Sequence, residues 1–260
     1  MNLNYFKYSF ARPFHTYRHK ALKKSSSLFA RDRDLYKKAI QEIAEYTNED
    51  VVLVDQKCKN ANVGINGKNY DAINENELNE FYINDRHYLY ELPAWNAGCG
   101  RSFYLNSLLV PYLKRNNFKT ILDFGGGTGD VCMGLKEAGF NMHYYDVNRT
   151  LIDFSAWRFK KRKLDIKNID IEKDGAKFDC VISFDVFEHL KGLPGKVKAM
   201  GNLINPGGSL IFNIELSGDG LHLSENKVYE DGRKLDKMLR KAGFAFDWKF
   251  KRFFFYKKRS

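Results

Sequence analysis

The run Asp123-Phe124-Gly125-Gly126-Gly127-Thr128-Gly129-Asp130 sets its glycines between two acids. Glycines at such a turn let the backbone bend sharply and let a ligand approach where a Cβ would stand. Turns of this kind serve dinucleotides and other adenosine cofactors alike. A carboxylate at Asp123 repels a pyrophosphate and suits a cofactor ending in a cationic amine. Asp146, about twenty residues beyond the turn, is spaced to accept hydrogen bonds from ribose hydroxyls.

A second group is Asp185-Val186-Phe187-Glu188-His189-Leu190. Histidine has the intrinsic pKa for proton transfer, and Glu188 could orient His189 or help hold a metal. The competing reading is that His189 only caps or orients its own loop. Further on, Leu221-His222-Leu223-Ser224 follows the glycine-bearing loop 217–220. His189 and His222 could act as base and partner, or as two ligands of a divalent ion completed by Glu188 or Glu215. Neither fragment has HExxH-type spacing, so no metal is expected. A third group is aromatic: Tyr88 and Trp95 could stack on a substrate, or pack as one face against a sheet. His15, His19 and His87 stand in no comparable context.

These groups need a scaffold, and the chain changes texture at residue 118. From there on, short apolar runs alternate with helix-like stretches, the pattern of βαβ units and a parallel sheet. Strands are expected at 120–124, 141–145, 166–169, 178–184 and 209–214. Helices are expected from the glycine turn to 138, at 151–161, at 197–204 (stopped by Asn205-Pro206-Gly207-Gly208) and at 233–242. Two final strands, 244–250 and 253–257, suit an antiparallel edge hairpin. The expected fold is therefore α/β, Rossmann-like, with seven mostly parallel strands. Residues 1–117 read as a mainly helical extension or lid for acceptor recognition, and 118–260 as the cofactor-binding domain. In the extension, helices are expected from Ser27 to Ala44, over 75–92 with Pro93 ending it, and at 103–115. Val51 to Val54 reads as a short strand and 59–68 as a loop.

Composition bounds the partners. The chain has 260 residues, 43% hydrophobic and 15% aromatic, enough for a sizeable core, and a formal net charge of +11. No acid occurs before Asp32, while Lys7, Arg12, Arg18, Lys20, Lys23, Lys24 and Arg31 do. A second basic cluster is Lys249, Lys251, Arg252, Lys257, Lys258 and Arg259. Such balance favours anionic partners, although charge runs are commonly just solvated faces. Cys58, Cys99, Cys132 and Cys180 show no CxxC or zinc spacing and read as reduced thiols. No apolar run approaches the ~20 residues that span a bilayer. The acid-free start has a transit-peptide composition without a continuous amphipathic period, so a cytoplasmic protein is expected.

ILDFGGGTGD, residues 121–130, resembles motif I of class I S-adenosylmethionine-dependent methyltransferases. YYDVN (144–148) is similar to their ribose-binding segment, IDI (169–171) to the segment that meets adenine, and INPGGSLIFNI (204–214) to their fifth strand. FDCVISFDVFEHL (178–190) resembles the fourth strand and following loop, in the small-molecule O-methyltransferase branch. The resemblance covers the chain from Phe118 onward. It implies S-adenosylmethionine as cofactor, with Asp123 near the amine and Gly125, Gly127 and Gly129 along the methionine and ribose. It also implies Asp146 on the ribose, Val147 on adenine, Asp170 (with Asp165 as a rival register) on the adenine amine, and Asp185 among the cofactor residues. His189, Glu188 and His222 then fall at the acceptor pocket, and Tyr88 and Trp95 on a lid.

The resemblance implies methyl transfer to a small-molecule oxygen, of a sugar, a phenol or quinone-like ring, or a natural-product hydroxyl. Nucleic acid is possible but not favoured: the chain lacks the (N/D)PP(Y/F) element and the Pro-Cys or Thr-Cys pair of base methylation. A non-catalytic protein of the same fold is the third reading, opposed by the intact acids and His189.

Overall fold

A computed structural model describes residues 27–61, 72–97, 101–214 and 222–259. The basic N-terminal run with His15 and His19, most of the 59–68 loop, Cys99, Glu215 and the 217–221 segment lie outside these residues, as does the side chain of Trp95.

The sheet follows the apolar runs. Strands β1 (Thr120–Phe124), β2 (Asn141–Tyr145), β3 (Lys167–Asn168), β4 (Phe178–Ser183), β5 (Ile204–Asn213), β6 (Phe244–Phe250) and β7 (Phe253–Lys258) lie in the order β3-β2-β1-β4-β5-β7-β6. The β1–β2, β2–β3, β1–β4 and β4–β5 pairs are parallel, whereas β7 runs antiparallel to both β5 and β6. The order reverses between β1 and β4, so the chain leaves these two neighbours in opposite directions and opens a crevice at their carboxyl ends. That is where ligands bind in open parallel sheets.

Among the described residues, seven helices serve the extension and the sheet's first half: α1 (Ser27–Thr47), α2 (Val51–Asn60), α3 (Glu75–Asn84), α4 (Tyr88–Asn96), α5 (Arg101–Arg115), α6 (Asp130–Glu137) and α7 (Arg149–Lys161). Two more, α8 (Leu193–Asn202) and α9 (Gly232–Lys241), complete the fold. The two sheet faces bury separate cores. One gathers Leu105, Leu109, Tyr112 and Leu113 of α5 against Ile121, Met142 and Phe255. The other packs Val197, Met200, Leu235 and Leu239 on Leu122, Val181 and Phe212. Thus α5, which precedes residue 118, shares the sheet's own core. A third core joins Tyr36, Ile40 and Ile43 of α1 to Val54, Cys58, Leu89 and Phe154, so α7 anchors the extension.

Several expectations need correction. Residues 51–54 form the first turn of α2, not a strand. The Asp50 carboxylate accepts the Val52 and Leu53 N–H groups at 2.8 and 3.2 Å, and this cap outweighs the β-branched composition. Val54 and Cys58, four apart, then bury one helical face. The single helix over 75–92 is two, because Asp85 leaves the helical region at ψ 116° and its carboxylate accepts the His87 N–H at 2.7 Å. Pro93 lies inside α4 and does not end it; the helix continues to Asn96. Asn205-Pro206-Gly207-Gly208 belongs to β5, where the register against β4 shifts between Phe178 and Cys180. A side chain at Gly208 would meet the Asp179 carbonyl at 2.6 Å, so only glycine fits this irregularity.

No helix among the described residues is long and apolar enough to cross a membrane.

Candidate active site

The glycine turn joins β1 to α6 at the reversal point. Gly125, Gly127 and Gly129 have φ of 75°, 56° and 74°, conformations that L side chains resist. Neighbours also press on the turn. A Cβ on Gly125 would meet Val186 at 2.5 Å, and one on Gly129 the Phe159 ring at 2.7 Å. Asp123 is 3% exposed. Its carboxyl carbon lies 3.2 Å from where a Cβ on Gly126 would stand, so it underlies the turn. Its charge also acts on Cys132, whose thiol burial, and then Asp123, push well up. Beneath the loop, the Tyr144 hydroxyl donates to the Gly127 carbonyl at 2.7 Å.

Asp146 stands at the end of β2, level with the turn. It accepts the Gly127 N–H at 2.8 Å and the Asn148 N–H at 2.9 Å. Burial raises its pKa, and those backbone donors offset part of the rise. Val147, next to it, is 46% exposed, an apolar platform beside the acid. Asn148 ties this end to the extension: its amide donates to the Tyr82 and Asp85 carbonyls at 2.8 and 2.7 Å, while its oxygen caps α7 at Leu151. Asp170 follows β3, exposed and paired with Lys173 at 2.7 Å. Asp185 lies two residues beyond β4 at φ 56°, with its N–H donating to the Asn213 side-chain oxygen at 2.8 Å. A non-glycine residue held in that region marks stored strain at the mouth of the crevice.

Sequence reasoning missed the buried cation that braces the turn. Arg158 of α7, 3% exposed, donates to Glu42 of α1 at 2.9 Å, to both Asp130 oxygens at 3.0 Å, and to the Thr128 carbonyl. Burial disfavours the Asp130 carboxylate, but the Arg158 guanidinium prevails and holds its pKa below the ordinary range. Asn96 adds a bond to Thr128 at 3.3 Å, and Leu92 packs over Gly127. The only sequence signal was a polar residue on the inner face of an otherwise apolar helix, and its partners lay too far away to be inferred.

The acceptor-side residues converge. A single helical turn, Phe187–His189, places Glu188 (1% exposed) and His189 beyond β4. The His189 and His222 ring centroids lie 5.3 Å apart. The Asn226 amide, itself buried, binds the Phe187 and Leu190 carbonyls at 3.1 and 3.0 Å, and the Leu223 N–H donates to the Glu188 carbonyl at 3.0 Å. These bonds pin the His222 segment to the Glu188–His189 turn. Tyr82 of α3, not singled out from sequence, places its hydroxyl 3.1 Å from His189 Nδ1. Tyr88 stacks on Tyr82 with centroids 6.3 Å apart, so it borders the group.

The C-terminal basic cluster is largely built into the fold. Lys257 lies 4.4 Å from the Phe118 ring centroid and bonds Asn116, and Lys258 donates to the Gly201 and Ile204 carbonyls at the end of α8. Lys249 covers Phe254 at 4.6 Å.

A family model described as a methyltransferase domain matches residues 101–249. A ubiquinone biosynthesis O-methyltransferase of Coxiella burnetii is 29% identical over 129 residues, covering 46% of this chain and 55% of its own. A highly reducing polyketide synthase of Alternaria alternata is 30% identical over 115 residues, covering 39% of this chain and 5% of that enzyme. The match thus spans about half of the first relative and a small part of the second. Among solved structures, the magnesium protoporphyrin IX methyltransferase of Synechocystis PCC 6803 with bound S-adenosylmethionine superimposes with a TM-score of 0.50. It is 16% identical, over 64% of this chain and 83% of that one, a likeness of fold.

Proposed function

The chain is an S-adenosylmethionine-dependent member of the methyltransferase domain family, and on that premise we propose that it methylates an oxygen of a small molecule. The residues present fit the cofactor. The positive φ at Gly125, Gly127 and Gly129 bends the turn so that its backbone lies level with Asp146, which offers acceptor lone pairs there, and exposed Val147 offers a face for a planar base. When bound, S-adenosylmethionine supplies an electrophilic methyl group on a sulfonium.

One observation carries the oxygen acceptor: the ring of His189, on the loop that abuts the glycine turn through Val186, lies 5.3 Å from that of His222, which comes from beyond β5. As the acceptor's O–C bond forms and the S–C bond breaks, the hydroxyl proton needs a recipient, and these imidazoles are the nearest bases. Tyr82 orients His189 through the contact of its hydroxyl with Nδ1 at 3.1 Å. The extension supplies the wall through α3 and α4, and holding both reactants in line contributes most of the acceleration. Engagement of Lys257 and Lys258 within the fold weakens the case for a nucleic-acid acceptor.

The test is methyl transfer from radiolabelled S-adenosylmethionine to a panel of phenols, catechols, sugars and total RNA. Label in a phenolic, catecholic or sugar hydroxyl supports the reading, with loss of turnover in His189→Ala. Label only in RNA, with strongly salt-dependent RNA binding, overturns it.

A further inference from the structure

We propose that Glu188, His189 and His222 form a binding site for a divalent transition-metal ion at the acceptor end of the crevice. Each of the three offers one ligand atom, and these atoms lie within 4.8 Å of one another. Sequence spacing argued against a metal because no single segment carries enough ligands. The fold supplies what the spacing lacked, bringing residue 222 against residues 188 and 189.

Three features make this a built site. First, the ligands sit on segments clamped together by Asn226 and by the Leu223 N–H bond to the Glu188 carbonyl at 3.0 Å. Second, the Tyr82 hydroxyl lies 3.1 Å from His189 Nδ1 and can accept its N–H. That arrangement leaves Nε2 as the ligand atom, and metal-bound imidazoles commonly have their other nitrogen held in this way. Third, Glu188 is 1% exposed, and a divalent ion supplies the positive charge that a buried carboxylate favours.

The donor set names the class of ion. Two imidazoles and one carboxylate suit zinc, cobalt, iron(II) or manganese better than magnesium or calcium, which prefer all-oxygen shells. Bond lengths of about 2.0–2.2 Å require the ligand atoms to close in by roughly an ångström, a matter of side-chain rotation. Three protein ligands leave open positions, where an acceptor hydroxyl would be acidified by the ion. In that role the ion would lower the hydroxyl's pKa so that its proton passes to solvent water, and His189 and His222 would serve as ligands in place of bases. The placement of the acceptor rests on the function proposed above; the ion site itself does not.

Cobalt(II) is the probe, because its visible absorption reports imidazole and carboxylate coordination without any turnover. The full chain, stripped with chelator, is titrated with Co²⁺ while S-adenosylmethionine binding is followed separately by calorimetry. One Co²⁺ per chain is expected, displaced by Zn²⁺. Affinity should fall at least ~10-fold in His222→Ala and Glu188→Gln, with S-adenosylmethionine affinity kept within about twofold, and about tenfold in Tyr82→Phe. Absence of stoichiometric Co²⁺ absorption, or equal affinity in all these variants, overturns the site. Should His222→Ala not fold, His222→Gln and Tyr82→Phe carry the same comparison. Co²⁺ binding with no S-adenosylmethionine binding would leave the ion site standing and refute the proposed function.

Discussion

The two ends of the crevice are built in opposite ways. The cofactor end is local: Asp123, the glycine turn, Asp146 and Val147 lie within 25 consecutive residues on two adjacent parallel strands. The acceptor end is composite, drawing Tyr82 from the extension, Glu188 and His189 from beyond β4, and His222 from beyond β5. One lesson follows from the difference. Binding an invariant cofactor is solved by backbone geometry at strand ends, where sequence neighbours remain spatial neighbours. The proposed acceptor group depends instead on side chains that only the closed fold assembles.

Arg158 ties the glycine turn to α1 of the extension, and its loss has the largest expected effect. Arg158→Met leaves Asp130 without its cation and Glu42 with Arg162 alone, which costs about 3–5 kcal/mol and lowers the melting temperature by roughly 10 °C. Calorimetric melting checks this. Because Arg158 holds the Asp130 pKa low, the pairing contributes above the unfolded carboxylate pKa of about 3.9 and is lost as pH falls through the folded value. The gap between wild type and variant should therefore narrow in acid below about pH 4.

Asp146→Asn should weaken S-adenosylmethionine binding about 10- to 100-fold, the scale of hydrogen bonds to a charged group, with melting little changed. Calorimetric titration reads it directly. Burial raises the Asp146 pKa, so wild-type affinity should already decline at a pH above that of an ordinary aspartate, and Asp146→Asn should not show this decline.

Gly129→Ala forces a side chain into φ 74° against Phe159, costing about 1–2 kcal/mol for the backbone alone. Both melting temperature and cofactor affinity should drop, since the turn is shared by fold and site. If affinity is unaffected while stability falls, the turn serves α6 and not the cofactor. The smallest effect belongs to Tyr82→Phe. Loss of one hydrogen bond of about 1 kcal/mol predicts a ~5-fold lower kcat/KM in steady-state kinetics with cofactor affinity intact. A parallel loss of cofactor binding would mean the two ends are not separable.

Five strand positions were legible because apolar runs bounded by turn residues keep their meaning in any parallel sheet; Thr120–Phe124 and Asn141–Tyr145 agree to the residue. The place of Asp146 just after β2, level with the glycine turn, was legible from its spacing beyond that turn. The expected strand at 51–54 shows the limit, since Val51, Val52 and Val54 favour a strand until Asp50 is seen capping a helix. Tyr82 stood in no motif at all, as its function depends on a partner 107 residues away.

Local sequence was enough for the sheet and for the place of its crevice, because those depend on periodicity, turn chemistry and short spacing. Only the tertiary structure decided that Arg158 braces the glycine turn from 116 residues beyond Glu42, and that Glu188, His189 and His222 meet as one group. The physical reason is common to both: side-chain pairing across long loops is written in packing, which no local pattern of residues encodes.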